Sequence, residues 1–286
     1  MPAEGDAAQR LSLRPGRLAI CRLKPTPEPP PWLAPGPPLT ASIWSEDGLT
    51  AVCPEEAVPE GVRAERGRRC LTVAGPLDHG LTGVLEALTR PLAAAGVPVF
   101  ALSTYETDHL LVAERLAGVA ARALREAGHE VDGCVEAVFV GPEATRAPEP
   151  VGAVEAMPGR GLVGDRYFSG EGTFWKEGKS GQDLTLVEAE AIEGLAEEHG
   201  IAIEPSESRR NVLTRGVDLN SLVGKTFLVG EVECRGDRLC DPCSHLERLT
   251  KPGTRAGLTN RGGLRADVVG GGTIRPGDSV RATAGK

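Results

Sequence analysis

Aromatic residues are scarce, only 3% of the 286-residue chain. The core must therefore be built mainly from Leu, Val and Ala. No apolar run approaches the roughly 18 residues needed to span a bilayer, which excludes an integral membrane protein. The start, Met1-Pro2-Ala3-Glu4-Gly5-Asp6, is acidic and has no apolar block behind it, so no signal peptide is expected. Positive charge is in deficit, with 32 Lys+Arg against 40 Asp+Glu and a net charge of -8. Such a chain repels polyphosphate backbones, which argues against nucleic acid as a partner. The seven cysteines are odd in number and scattered. They read as reduced thiols of a cytoplasmic protein, available for chemistry where they cluster.

Proline is abundant in one place. The segment 25–38 (PTPEPPPWLAPGPP) fixes φ repeatedly and lacks amide donors, so it predicts an extended connection. Beyond it, Cys70-Leu71-Thr72-Val73 predicts a short strand. Leu81, Val84, Leu85, Leu88 and Leu92 then follow at helical spacing. Pro91 is expected to kink or end that helix. Residues 97–103 (VPVFALS) read as a buried strand and His109–Val112 as its return. Leu116, Val119, Ala120, Ala123 and Leu124 mark a second helix. The order β-α-β-β-α, with room for a last strand, is a ferredoxin-like pattern. Residues 11–65 read as a degenerate companion of 66–130, giving a front half of 1–130. The back half, 134–286, is rich in short strands and glycine turns, as in a β-barrel. One helix interrupts it at 187–199. Its glutamates, Glu188, Glu190, Glu193, Glu197 and Glu198, read as a solvated face.

Three segments of the back half carry residues suited to chemistry. In 159–167 (GRGLVGDRY), Gly164 lets the backbone turn close to a ligand. Asp165 and Arg166 follow, the arginine being a bidentate donor for phosphate or carboxylate. A tight β-turn explains the segment equally, and the lysine of a nucleotide-binding loop is missing. In 206–216 (SESRRNVLTRG), Arg209 and Arg210 precede Asn211 and Thr214 in an otherwise acidic protein. That set suits an anionic, hydrogen-bonding ligand, or else a surface loop paired to the glutamates. In 238–249 (RLCDPCSHLERL), Asp241 reads as a helix N-cap and Pro242 as the first helical residue. Cys243 would then lie in the first turn, where a thiolate is favoured. Such a thiolate is a nucleophile and a soft metal ligand. A zinc site with Cys240, Cys243 and His245 or Cys234, a redox dithiol, and a single working cysteine remain open. His245, two residues on from Cys243, reads as structural because that spacing faces elsewhere on a helix.

The segments GRGLVGDRY, DLTLVEAEAI, SESRRNVLTRGVDLNSLVGKTFLVG, RLCDPCSHLERLT and NRGGLRADVVGGGTIRPGD, in this order, resemble a MOSC domain. That family takes its name from the C-terminal domain of molybdenum cofactor sulfurases. The resemblance implies a mostly antiparallel β-barrel with a pocket for the molybdenum cofactor. Cys243 would be the cysteine that coordinates molybdenum or carries sulfur, with Cys240 the other candidate. Arg209, Arg210, Asn211 and Thr214 would hold the phosphate or pterin, and Gly164, Asp165 and Arg166 another wall. The segment AGPLDHGLTGVLEALTRPLAAAGVPVFALSTYETDHLLV resembles an ACT domain, the βαββαβ module that binds amino acids, here of the tandem type. That likeness implies effector contacts from Asp78, Gly80, Thr104 and Asp108. Asp78 reads equally as a helix cap. The pyridoxal-phosphate domain of the large sulfurases has no room in this chain, so a desulfurase reaction would need a partner.

The whole chain is thus expected to be α+β, an ACT-like front followed by a barrel. The resemblance implies an oxidoreductase that removes an oxo group from a small N-hydroxylated or N-oxide substrate. Its electrons would come from a separate donor, since no flavin or nicotinamide fingerprint is present. Two further functions stand beside it. One is a sulfur carrier with a persulfide on Cys243, fed by a cysteine desulfurase. The other is an amino-acid sensor.

Overall fold

The computed structural model describes residues 8–144 and 146–283; the acidic start Met1–Asp6 and the last three positions lie outside that range. The chain divides into two compact units between Val131 and Asp132. Both mix helix and strand, as expected. No helix among the described residues is long and apolar enough to cross a membrane.

The first unit runs β1 (Arg10–Leu13), β2 (Leu18–Leu23), β3 (Ala41–Ser45), β4 (Gly48–Pro54) and β5 (Ala64–Val73). It continues through α1 (Val84–Ala94), β6 (Phe100–Ser103), β7 (Asp108–Ala113) and α2 (Ala117–Glu126). The expected β-α-β-β-α order is present from β5 onward. β5 is ten residues long rather than four. Its first half, Ala-Glu-Arg-Gly-Arg-Arg, has no apolar alternation and is held by backbone pairing to β2. β1 takes the second half of the same edge, and β7 lies along the other edge. One continuous strand therefore crosses the position where the sequence suggested a division into two repeats. The companion region 11–65 has strands but, in place of a helix, only a one-turn 3-10 segment, Glu55–Ala57. The proline-rich segment has no regular structure, and Leu33 anchors it among Ala19, Cys21, Ala51 and Cys53.

Three local expectations need correction. Leu81 is exposed and α1 starts at Val84, after Gly83 in the left-handed region. Pro91 does not end the helix. Its missing N–H leaves Ala87 O without a helical donor, and His129 Nε2 supplies one at 3.2 Å. The tautomer follows, because Gln9 N donates to His129 Nδ1 at 3.1 Å. β6 is half-exposed rather than buried, since it is an edge strand pairing with β7.

The second unit contains β8 (Glu130–Val140), β9 (Glu149–Val151), β10 (Val154–Met157), β11 (Gly161–Leu162), β12 (Leu184–Glu188) and α3 (Ala189–His199). Then come β13 (Val212–Arg215), β14 (Thr226–Val229), β15 (Val232–Leu239), α4 (Ser244–Leu249) and α5 (Thr254–Gly257). β16 (Leu264–Gly270), β17 (Gly272–Ile274) and β18 (Ser279–Ala282) complete it. Seven strands close a barrel in the order β13-β12-β16-β15-β14-β18-β8, and β8 returns to β13. All of these pairs are antiparallel except β12 with β13. Alternating residues such as Val138, Leu186, Val212, Phe227 and Ala266 fill the interior. α3 packs Ala191, Ile192 and Leu195 against the outer side chains Phe139 and Leu213.

Of the five helix glutamates, Glu197 and Glu198 are exposed as expected, but Glu188, Glu190 and Glu193 are not a solvated face. Glu193 grips the buried Arg215 with two oxygens, at 2.5 and 3.0 Å. Glu136 Oε1 lies 2.9 Å from Arg215 Nε. Glu190 accepts from Gly216 N and Glu188 from Leu219 N. Glu198 pairs with Arg261.

His109, buried on β7, gives the first unit a pH dependence. Its Nδ1 lies 3.1 Å from Thr72 Oγ1 and its Nε2 3.4 Å from Thr104 Oγ1. Burial pushes its pKa below the ordinary 6.5; Asp108 opposes and Arg14 reinforces this. The unfolded chain therefore takes up the proton first. The stability from neutral His109 is complete above 6.5 and is lost as pH falls through the folded value. Thermal unfolding from pH 7.5 down to 5 should show a falling midpoint, and His109→Gln should flatten the part of that slope below pH 6.5. An unchanged slope in the variant would contradict this account.

Candidate functional site

Four segments meet and line a small cleft of about 80 Å³. They are the connection from β8 to β9, the long loop from β11 to β12, the residues before β13 and the segment after β15. A 3-10 turn, Pro205–Ser208, delivers the paired arginines. It starts with a capping box in which Glu204 N donates to Glu207 Oε2. Arg209 then ends it in the left-handed region, at φ 61°.

The two arginines have different surroundings. Arg210 is buried, and three of its nitrogens donate to backbone carbonyls: Nε to Gly262 at 2.9 Å, Nη1 to Ser208 and Nη2 to Cys240, both at 3.1 Å. It ties the arginine segment to the cysteine segment. Arg209 is half-buried in the cleft, and its Nη2 donates to Ala144 O. Burial, then the nearby Arg166 and Arg210, push its pKa down from the usual guanidinium range, against Asp165 and Tyr167. The cleft therefore holds an excess of positive charge.

Asp165 is buried and accepts from Gly141 N, Tyr167 N and Asn211 Nδ2. Asn211 also accepts from Thr185 Oγ1 at 2.7 Å, so it locks β12 to the turn at Asp165. Gly164 adopts φ 86° ahead of Asp165 and is not among the residues around the cleft. Arg166 lines the cleft, donates from Nη1 to Gly141 O, and has a buried Nε without a hydrogen-bond partner among the described residues. Thr214 is not in the cleft. It is fully buried and donates to Val187 O, because alternation along β13 turns it inward with Val212.

Cys243 is exposed on the cleft, whereas Cys240 is buried and offers its carbonyl to Arg210. The local helix begins two residues later than expected: Cys243 is itself the N-cap of the six-residue α4. Helical spacing therefore does not separate it from His245, which lines the same cleft. His245 meets Phe174 edge-on, with centroids 5.8 Å apart. Cys234 lies in the barrel core, and among the described residues no three His, Cys, Asp or Glu side chains form a metal-holding group. The glycines 262 and 263 make this packing possible. A Cβ on Gly262 would stand 2.4 Å from Cys240 O, and one on Gly263 2.0 Å from Leu186 O.

Phe174, Gln182, Thr185 and Arg265 also line the cleft and escaped the sequence reading. A usable sign was there: Tyr167, Phe168, Phe174 and Trp175 crowd into nine positions of an aromatic-poor chain.

In the first unit, Leu77 N donates to Glu106 O and joins the loop holding Asp78 and Gly80 to the turn at Thr104. Asp78 accepts from Gly80 N, closing its own loop rather than capping α1, whose N-cap is Gly83. Asp108 accepts from Ser103 Oγ, and Thr104 Oγ1 donates to Thr107 O.

Family models match two stretches: an ACT domain at residues 63–126 and a MOSC domain at residues 174–281. Protein Atu0741 from Agrobacterium tumefaciens is 30% identical over 44% of this chain and 92% of its own, with a TM-score of 0.41. The YUAD protein from Bacillus subtilis is 17% identical over 54% of this chain and 97% of its own, with a TM-score of 0.46. YiiM from Escherichia coli is 18% identical over 54% of this chain and 71% of its own, with a TM-score of 0.41. No curated protein matches the chain.

Among the free thiols only Cys243 is exposed. Ellman's reagent should find one fast-reacting thiol in the folded protein, absent from Cys243→Ser. Arg210→Met removes three charge-assisted bonds and should cost about 3 kcal/mol or more in urea unfolding. It should also make Cys240 a second fast thiol. A native count other than one would contradict the geometry.

Proposed function

We propose that this chain, an ACT domain joined to a MOSC domain, holds the molybdenum cofactor in the cleft at Cys243 and acts as an oxidoreductase. Its substrates are small N-hydroxylated or N-oxide molecules, and its electrons come from a separate donor. The observation that carries the reading is a single cleft with an exposed thiol and an excess of guanidinium groups. The donor chemistry fits the group: the unpartnered Arg166 Nε and the half-buried Arg209 suit a phosphate, and the Cys243 thiol suits a soft metal. The cleft's volume, about 80 Å³, is below the roughly 300 Å³ of ordinary ligand sites, but it opens to solvent beside the exposed Phe174, Asp241 and Cys243.

When bound, the cofactor supplies the metal centre that accepts an oxo group. The chain's own residues do the rest. Arg209 and Arg166 bind and orient the phosphate. Asp165 and Asn211 hold the wall in place through their mutual hydrogen bond. Arg210 keeps the Cys243 segment against that wall. Phe174 and His245 exclude water from one side.

A second reading rests on the same exposure: one accessible thiol suits a persulfide carrier, loaded by a cysteine desulfurase. After expression in a cofactor-competent host, the oxidoreductase reading expects molybdenum by mass spectrometry and a fluorescent oxidised pterin. Arg209→Ala should lower both, about tenfold if one charge-assisted contact is lost. Protein without pterin that gains one sulfur after desulfurase treatment, but not as Cys243→Ser, would favour the carrier instead.

Amino-acid regulation rests on the joined loops at Asp78 and Thr104. One amino acid should raise the thermal midpoint, and Asp78→Ala should abolish the shift. A full screen without any shift would refute it.

A further inference from the structure

A second groove, of about 750 Å³, opens on the first unit, apart from both the Cys243 cleft and the Asp78 loop. Its wall is the sheet face that carries Ile20 and Arg22 of β2. Cys21 pairs with Ala64, and Arg22 N donates to Arg63 O at 2.9 Å. Arg22 and Arg63 therefore stand opposite each other across the two strands, on the same face. Both are exposed, and neither guanidinium has a partner among the described residues. Like charges placed opposite each other on a sheet are destabilising. Arg68, which lines the same groove, is already paired with Glu65. The floor is different in character: the half-buried Ile20 and Phe100 give it an apolar surface. Asp47, on the turn between β3 and β4, stands at the rim.

We propose that this groove binds a small organic anion with one acid group, phosphate or carboxylate, on an apolar body. The acid group takes Arg22 and Arg63 and relieves their repulsion. The apolar body lies on Ile20 and Phe100. Asp47 repels a second acid group, so the ligand carries its charge at one end.

Calorimetric titration of the full chain tests this with phenyl phosphate, phenylacetate, inorganic phosphate and benzyl alcohol. Phenyl phosphate or phenylacetate should bind at least tenfold more tightly than inorganic phosphate or benzyl alcohol, and the tighter of the two names the acid group. Arg22→Gln and Arg63→Gln should each weaken that binding about tenfold. Because the Cys243 cleft also holds arginines, phenylglyoxal labelling of the unmutated protein locates the ligand without relying on a variant. The tighter probe should protect Arg22 and Arg63 in peptide mass spectra. Protection confined to Arg166 and Arg209 would overturn the proposal. So would unchanged binding in the folded double variant, equal affinity for inorganic phosphate, or no binding at millimolar concentrations.

Discussion

The candidate site depends on one buried guanidinium. Arg210 reaches the carbonyls of Ser208, Cys240 and Gly262, three points far apart in the chain. A buried charge without such partners would be prohibitive. Satisfying it requires the arginine segment, the cysteine segment and the double glycine to close around it. The exposed position of Cys243 follows, because Cys240 is drawn inward and the chain must emerge three residues later. The first arginine of the pair is left for the cleft because the second is used as a strut.

Charge is distributed by the same logic throughout the second unit. The chain is acidic overall, yet its carboxylates are largely engaged where the barrel needs them. Glu193 and Glu136 surround Arg215, and Glu188 and Glu190 accept backbone amides. Burial raises the pKa of Glu190, while Arg215 and the Gly216 amide oppose that rise. Asp165 favours the charged form of Arg209, but its carboxylate is itself committed to Gly141, Tyr167 and Asn211. Local positive potential survives in a negative protein because the acids are tied up elsewhere.

The first unit solves a different problem. Half of it lacks helices, so its sheet must be covered by other means. The proline-rich segment does this with Leu33 on one side of β2. On the other side Leu39 joins Leu18 and Val52, while the end of that face near Arg22 stays open. The helical half repairs its own defect: the carbonyl freed by Pro91 is taken by His129.

Much of this was legible in the residues alone. Periodicity located both helices of the first unit and the helix of the second, and glycine turns with short strands indicated a barrel. The segments that carry Arg209, Asp165, Arg166 and Cys243 stood out by their chemistry. Side-chain direction was not legible. Thr214 and Asn211 are three residues apart, yet one faces the barrel interior and the other the site, because strand alternation assigns them to opposite faces. Arg209 and Arg210 are adjacent and identical, yet a single left-handed residue gives them opposite roles. His245 joined the site because α4 begins two residues later than its capping pattern implied. Local sequence determined which segments could hold an anion and a soft metal. The closing of the barrel decided which atoms face the cleft, since that depends on strand register and on where buried donors find carbonyls.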